Sequence, residues 1–157
     1  MIRTRWGLGL AAVVLGVIGI FRLSASGNVP FGLDRVAFVQ PDSVPAWVQR
    51  IALVDEALGR SELSRAIYQW REAYGAAVRS GRAEGLIAVG DRAIRIAELA
   101  GGSGYFLTEA RYVYVQATLR ARAERSRETI LGIAELFEQL GDTERAGQVR
   151  RIAASVS

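Results

Sequence analysis

Pairs of alanines at a fixed spacing recur through the second part of this chain. The two alanines of a pair are seven residues apart, and successive pairs begin 44 and then 36 residues further on: Ala66 and Ala73, Ala110 and Ala117, Ala146 and Ala153. Residues seven apart lie on one face of an α-helix, and small side chains there let a neighbouring helix approach closely. This repeat predicts stacked helical hairpins that share a continuous core.

The composition restricts the chemistry that the chain can perform. It has no Cys, no His and no Lys, and all 20 basic residues are Arg. The chain therefore lacks an imidazole base, a thiolate nucleophile, a Schiff-base amine and the ordinary ligands of zinc, copper and haem. Carboxylate pairs such as Glu135 with Glu138 remain, and these fit a solvated helix face. We expect a protein that is not an enzyme, with no catalytic residue, no metal site and no cofactor.

The net charge of +4 does not predict nucleic-acid binding. Arg3, Arg5 and Arg22 flank an apolar stretch, and without them the chain is close to neutral. A nucleic-acid groove needs a basic stripe interleaved with stacking aromatics. The nearest approach is a run that Glu124 and Glu128 interrupt, namely Arg120, Arg122, Arg125 and Arg127. We interpret this run as a solvated helix end, with an anion or lipid-headgroup site as the alternative.

Residues 1–23 contain a candidate membrane anchor. Residues 6–21 are free of charge, and 16 residues of helix span about 24 Å, slightly less than a bilayer core of about 30 Å. Arg5 and Arg22 can snorkel to close the gap. The alternative is a secretory signal peptide cleaved after residues 24–26. The length of the stretch and the position of Arg22 favour the anchor.

The arginines before the apolar stretch also predict the orientation. Basic residues stay on the cytoplasmic side, so the rest of the chain faces outward. We expect a single-pass protein of the bacterial inner membrane that contacts lipid through residues 6–21, with its amino terminus cytoplasmic and its carboxyl-terminal domain in the periplasm.

Residues 24–45 are predicted to form an extended tether, because they hold all three prolines together with Ser, Gly and Asn. The tether also carries large apolar residues, including Phe31 and Phe38, that a purely flexible linker does not need. These side chains either pack back on the helical domain or lie against another protein. We treat Phe31 and Phe38 as candidate partner-binding residues.

From Pro45 onward the apolar residues recur at helical intervals, separated by Gly and Ser. The pattern predicts an all-α domain over residues 46–157. Six helices are expected, at about 45–59, 62–80, 83–100, 104–124, 127–140 and 142–155. Asp142 is placed to cap the last of them. The aromatics of the first two hairpins are interpreted as core: Tyr68, Trp70, Tyr74, Tyr105, Phe106, Tyr112 and Tyr114.

Over residues 46–155 the chain resembles the tetratricopeptide-repeat (TPR) family. The last hairpin matches best, with residues at the family's signature positions: Ile130, Ile133, Ala134, Phe137, Gly141, Ala146 and Ala153. The middle hairpin is similar at Leu86, Val89, Gly90, Ala110, Tyr114 and Ala117, but holds an insertion. The first keeps Ala66, Trp70 and Ala73 but has Arg50 where a large apolar residue is usual. The alternative is an irregular helical bundle.

The resemblance implies that the first helix of each hairpin lines a concave groove. Its inward positions pair an aliphatic residue with an acidic one in all three hairpins: Ile51 and Asp55, Ile87 and Asp91, Leu131 and Glu135. Such a groove would suit a partner segment carrying apolar and basic residues. The alternative is that these carboxylates lie on solvated faces.

Two functions remain open, and both are expected to involve other proteins as partners. The first is an accessory or structural subunit of a larger membrane protein complex. The second is a docking protein that recruits a soluble partner through the acidic and aliphatic groove. The apolar residues of the tether favour the first.

Overall fold

The computed structural model describes residues 44–156, and these fold into six α-helices with no strand among them. The helices are α1 (Ala46–Gly59), α2 (Leu63–Ser80), α3 (Ala83–Leu99), α4 (Gly104–Ala123), α5 (Arg127–Gln139) and α6 (Thr143–Ala154). The prediction of an all-α domain with six helices is confirmed, and most helix ends lie within one or two residues of the predicted positions.

Consecutive helices pair into three hairpins, α1 with α2, α3 with α4, and α5 with α6. The hairpins join in chain order, because α2 packs on α3 and α4 packs on α5. The first helices of the first two hairpins, α1 and α3, also contact each other. Contact between α3 and α5 is at most marginal, so the third hairpin is attached almost entirely through α4.

The paired alanines lie at the helix interfaces, as the sequence predicts. Each is inaccessible or nearly so: Ala66, Ala73, Ala110, Ala117, Ala146 and Ala153. Around them a single apolar core runs through all three hairpins. Its largest fully buried side chains include Tyr114, Phe137 and Leu86. Alanines at these positions allow the close helix contacts on which a stack of hairpins depends.

Residues with a left-handed backbone end most of the helices. Gly81, Gly101, Gly102 and Gly141 have positive φ, which glycine adopts without steric cost. Ser61 and Arg125 have the same conformation at the turns after α1 and α4. The carboxylate of Asp142 accepts a hydrogen bond from the backbone N–H of Arg145, which confirms the predicted cap of α6.

A buried aromatic group joins the first hairpin to the second. The indole Nε1 of Trp70 on α2 donates a hydrogen bond of 2.9 Å to the carbonyl oxygen of Val89 on α3. The Trp70 ring also stacks on Tyr74 and meets Phe106 edge to face. Bonding a buried indole N–H removes the cost of leaving it without a partner. Trp70 therefore fixes the position of α3 against α2.

Tyr114 on α4 has the corresponding role in the second and third hairpins. Its ring is fully buried against Gly90 of α3 and meets Phe137 of α5 edge to face at 5.9 Å between centroids. Its hydroxyl donates a hydrogen bond of 2.7 Å to the Asp91 carboxylate. Burial, followed by this hydrogen bond, raises the pKa of Tyr114 well above its ordinary value. One side chain thus links three helices.

Polar side chains of α4 also satisfy helix ends elsewhere. Glu124, directly after α4, accepts a hydrogen bond of 3.0 Å from the backbone N–H of Ala83 at the start of α3. Arg111 donates to the carbonyl oxygen of Leu140 at the end of α5 and pairs with Asp142. These contacts supply partners for helix-end groups that have none within their own helix.

The predicted anchor (residues 6–21), the tether and its Phe31 and Phe38 lie outside the described residues, so these assignments stay predictions. Within residues 44–156 no helix combines the length and the apolar character needed to cross a bilayer.

Candidate protein-binding surfaces

The six predicted groove residues of the helical domain lie on α1, α3 and α5 in very different environments. Ile51 belongs to the core, while Ile87 is half-buried and packs against the core. Leu131 on α5 is exposed. Of the predicted residues, only Asp55 is shown to bridge α1 and α3, and the α5 pair lies apart, since α3 and α5 scarcely touch. The structure therefore does not confirm one continuous groove through all three hairpins.

Asp55 is held by two arginines of the neighbouring hairpin. Arg92 binds its carboxylate with two hydrogen bonds, of 2.7 and 3.2 Å, and Arg95 binds the same carboxylate. The carboxylate is about one-third exposed and its charge is compensated within the chain. Asp55 therefore ties α1 to α3, and a partner could use it only in competition with two guanidinium groups.

Asp91 is also engaged inside the domain, since it accepts the hydrogen bond from the Tyr114 hydroxyl. It is half-buried beside the α3–α4 contact. The sequence predicts Asp91 as a groove residue, and the structure adds Tyr114 as its hydrogen-bond partner. No local sequence pattern indicates this pair, because Asp91 and Tyr114 are 23 residues apart and meet only when α3 packs on α4.

Of the predicted groove residues, those on α5 are the most exposed to solvent. It carries a set that we call the α5 row: Glu128, Leu131, Gly132, Glu135 and Glu138, all exposed. The opposite side of α5 is fully buried and includes Ile130, Ile133 and Phe137. The row therefore consists of one leucine, one glycine and three glutamates, none of which contributes to the core.

The row keeps an acidic character although one of its members is paired. Glu138 forms an ion pair of 2.7 Å with Arg150 of α6. This hydrogen bond lowers the pKa of Glu138 below its ordinary value. Among residues 44–156, Glu128 and Glu135 form no ion pair. A ligand approaching the α5 row therefore meets two carboxylates without a direct ion pair beside Leu131, although the charge of Arg150 on α6 also acts on Glu135.

Gly132 is unusual because it lies in the middle of α5 and has no structural reason to be glycine. Apart from its two chain neighbours and the nearby backbone of α5 itself, no atom of the described residues lies within 4 Å of the position that a Cβ would occupy. Glycine in a helix interior costs about 1 kcal/mol relative to alanine. An exposed helix glycine without a neighbour permits close approach of another backbone from outside.

A second exposed surface lies on α4, on the side that faces away from α3. We call it the α4 stripe, and it consists of Tyr105, Tyr112, Val115 and Leu119. Together with Thr108 these residues follow the spacing 105, 108, 112, 115 and 119, which is one continuous helix face. Large exposed apolar residues are thus gathered on α4 instead of being scattered.

The α4 stripe modifies the sequence interpretation of the aromatics as core. Trp70, Phe106 and Tyr114 are buried, and Tyr74 is partly buried and packs against the core. Tyr68, Tyr105 and Tyr112 are exposed. The interpretation as core is wrong for these three tyrosines. On α4 apolar residues occupy both faces, so that helical periodicity does not distinguish the inner face from the outer one.

The run of arginines extends from the end of α4 through the turn after it to the first residue of α5, and its members are exposed, as expected for a solvated helix end. Arg122 and Arg125 line a shallow depression with Ser155 and Val156. Among the described residues, no group of three carboxylates lies close enough together to hold a metal ion.

Comparison with known protein families, with curated proteins and with solved structures gives no match for this chain. The all-helical fold of residues 44–156 is compatible with helical-hairpin repeats.

Proposed function

We propose that the protein is a TPR-like interaction protein of the bacterial inner membrane. It is held there by residues 6–21 and acts as an accessory subunit of a larger membrane protein complex. Its carboxyl-terminal domain faces the periplasm and contacts the complex through the α5 row, with Phe31 and Phe38 as additional contacts. The hairpin stack has a structural role in this assembly and does not catalyse a reaction.

The observation that carries the proposal is the combination of Leu131 and Gly132 on the open side of α5. Leu131 is exposed while the core side of the same helix is complete without it. Gly132 beside it lowers the stability of the helix and leaves space for a neighbour. Both features have a physical reason if a partner helix or strand packs against α5 in the assembled state.

The chemistry of the row also describes its partner. Glu128 and Glu135 flank Leu131 and form no direct ion pair among residues 44–156, and like charges on a partner would be repelled there. The matching segment therefore carries an apolar residue between basic ones. Such a segment gains contact area from Leu131 and charge complementarity from the two carboxylates.

The test is extraction of the full chain from its native membrane in mild detergent, followed by native sizing. The unaltered chain is expected to migrate with a complex much larger than itself. Leu131→Ser is expected to shift it to a small species, because the variant removes the apolar contact. Leu99→Ser is a matched control, since Leu99 on α3 is 37% exposed and Leu131 is 38% exposed.

A second variant separates binding from folding. Gly132→Leu is expected to raise the unfolding temperature, because leucine favours the helix more than glycine, and to abolish co-migration by filling the space over the backbone. A chain that migrates as a small species before any substitution, or a Gly132→Leu variant that still co-migrates, would contradict the proposal.

The second candidate function is recruitment of a soluble partner through the same row. The acidic charge of the row favours it, because long-range attraction of a basic segment speeds association. In this case native sizing gives a small species, and a soluble protein binds it with an affinity that falls steeply as salt concentration rises.

A further inference from the structure

The α4 stripe has the pattern of a helix that pairs with another helix. Its residues alternate at intervals of three and four over 14 residues: Tyr105, Thr108, Tyr112, Val115 and Leu119. Arg122 continues the pattern by one more step. This is the spacing of the contact positions in a two-helix coiled coil, repeated over two heptads. On α4 it lies outside the core, because the buried residues Ala110, Val113 and Ala117 lie on the other side. One edge of the stripe borders α6, whose Arg145 and Gln148 line shallow depressions with Val115 and Leu119.

We propose that the α4 stripe is a dimerisation surface whose occupant is the α4 stripe of a second copy of this chain, in antiparallel orientation. The two-fold axis passes between Tyr112 and Val115. Tyr112 of each copy therefore contacts Val115 of the other copy. This proposal is independent of the function proposed for the α5 row, which lies on a different helix.

Charge complementarity along α4 determines the orientation. Glu109 and Arg120 flank the stripe on the same side of the helix, and neither forms an ion pair among residues 44–156. In the antiparallel arrangement Glu109 lies near Arg120 of the second copy, which gives two symmetric ion pairs. A parallel arrangement would place these residues on opposite sides of the seam in the two copies, so that this ion pairing would be lost.

The two ends of the stripe support the same orientation. Tyr105 is aromatic and Arg122 is cationic, and the antiparallel register brings the Tyr105 ring of one copy to Arg122 of the other. A guanidinium over an aromatic face is a favourable cation–π contact. The helix dipoles of the two copies of α4 also run in opposite directions, which is favourable for adjacent helices.

The first experiment measures the dimer dissociation constant of the purified full chain in mild detergent by sedimentation equilibrium. Tyr112→Ala is expected to raise this constant by about tenfold or more, because a central aromatic anchor is lost. Tyr68→Ala is the matched control, since both tyrosines are 59% exposed and Tyr68 lies on α2. Val115→Ser and Val78→Ser form a second matched pair, at 40% and 38% exposure.

The second experiment tests the register with single cysteines, which the chain otherwise lacks. A mixture of Tyr105→Cys and Arg122→Cys chains is expected to form disulfide-linked dimers on mild oxidation. Tyr105→Cys alone is not, because in the antiparallel arrangement its two copies are about 25 Å apart along the helix. Gln139→Cys, an exposed site on α5, is the control for random collision.

Charge exchange provides the third measurement. Glu109→Arg alone and Arg120→Glu alone are each expected to weaken the dimer, and the double variant is expected to restore it. The proposal is overturned by a chain that stays monomeric at all concentrations. It is also overturned if Tyr112→Ala leaves the dimer dissociation constant unchanged, which is the result expected if residues 6–21 alone associate. Efficient cross-linking of Tyr105→Cys chains to one another would overturn it as well.

Discussion

The ring of Tyr114 on α4 occupies the space that a side chain at position 90 of α3 would need. A Cβ built on Gly90 would overlap three atoms of that ring. The tyrosine cannot move away easily, because it is fully buried, meets Phe137 edge to face and is bonded to Asp91. Glycine at position 90 is therefore a requirement of the helix packing in the second hairpin.

Gly90→Ala is expected to destabilise the domain by about 1–3 kcal/mol, the usual cost of adding a methyl group to a filled core. Gly132→Ala is the opposite control, because the space around its Cβ is open, and it is expected to stabilise by about 0.5–1 kcal/mol. Urea unfolding followed by circular dichroism measures both. Equal effects of the two substitutions would show that the contact between Gly90 and Tyr114 does not limit the packing.

Tyr114→Phe is expected to reduce the free energy of unfolding by about 1 kcal/mol at neutral pH, because Asp91 loses its hydrogen-bond donor. The difference from the unaltered chain should shrink above about pH 10. Above this pH Tyr114 loses its proton in the unfolded chain but keeps it in the folded chain, where its pKa is raised. The stability that this tyrosine contributes is therefore lost as the pH rises.

Unfolding curves between pH 7 and pH 11 test this prediction. Tyr68→Phe serves as the control for the loss of a tyrosine hydroxyl, because Tyr68 is exposed on α2. A difference for Tyr114→Phe that stays constant with pH would contradict the assignment.

Glu124→Ala is expected to cost about 1 kcal/mol of stability, because the backbone N–H of Ala83 at the start of α3 loses its acceptor. The variant also removes the ion pair with Arg82, which is mostly exposed and contributes little. Glu72→Ala on α2 is the control, since Glu72 is exposed and forms no ion pair among the described residues. Amide hydrogen exchange should accelerate at the start of α3 in the Glu124 variant and stay unchanged in the control.

Arg125→Gly is expected to stabilise the domain by about 1 kcal/mol. Arg125 has a φ of 56°, a left-handed conformation that glycine adopts more readily than any residue with a Cβ. The same substitution at Arg122, inside α4, is expected to lower stability by about the same amount, because glycine disfavours the helix interior. Thermal unfolding of the two variants checks the opposite signs, and a loss of stability at both positions would exclude this explanation.

Local patterns in the sequence predict most of the helical architecture. Glycines with positive φ, such as Gly81 after α2 and Gly141 after α5, mark the turns. The alanine pairs mark the buried faces of the helices. Both signals act within one or two helical turns and so are visible in a single sequence. These patterns also carry the resemblance to TPR proteins, although no family model matches the chain.

The surfaces were less predictable, because they depend on pairs that are distant in the chain. The carboxylate of Asp55 is bound by Arg92, 37 residues away, and no local pattern indicates this. The small contact between α3 and α5 likewise separates Leu131 from Ile87, although an equal register in all three hairpins predicted one row. For α4, apolar residues on both faces concealed the stripe.

The attachment of α5 and α6 almost entirely through α4 gives that helix a position between the two proposed interfaces. Its inner side bears the contacts to α5, including Tyr114 against Phe137, and its outer side bears Tyr112. Any thermodynamic linkage between occupancy at Leu131 and self-association at Tyr112 must therefore pass through a single helix. Because linkage is reciprocal, a ligand that strengthens the dimer would itself be bound more tightly by the dimer than by the free chain.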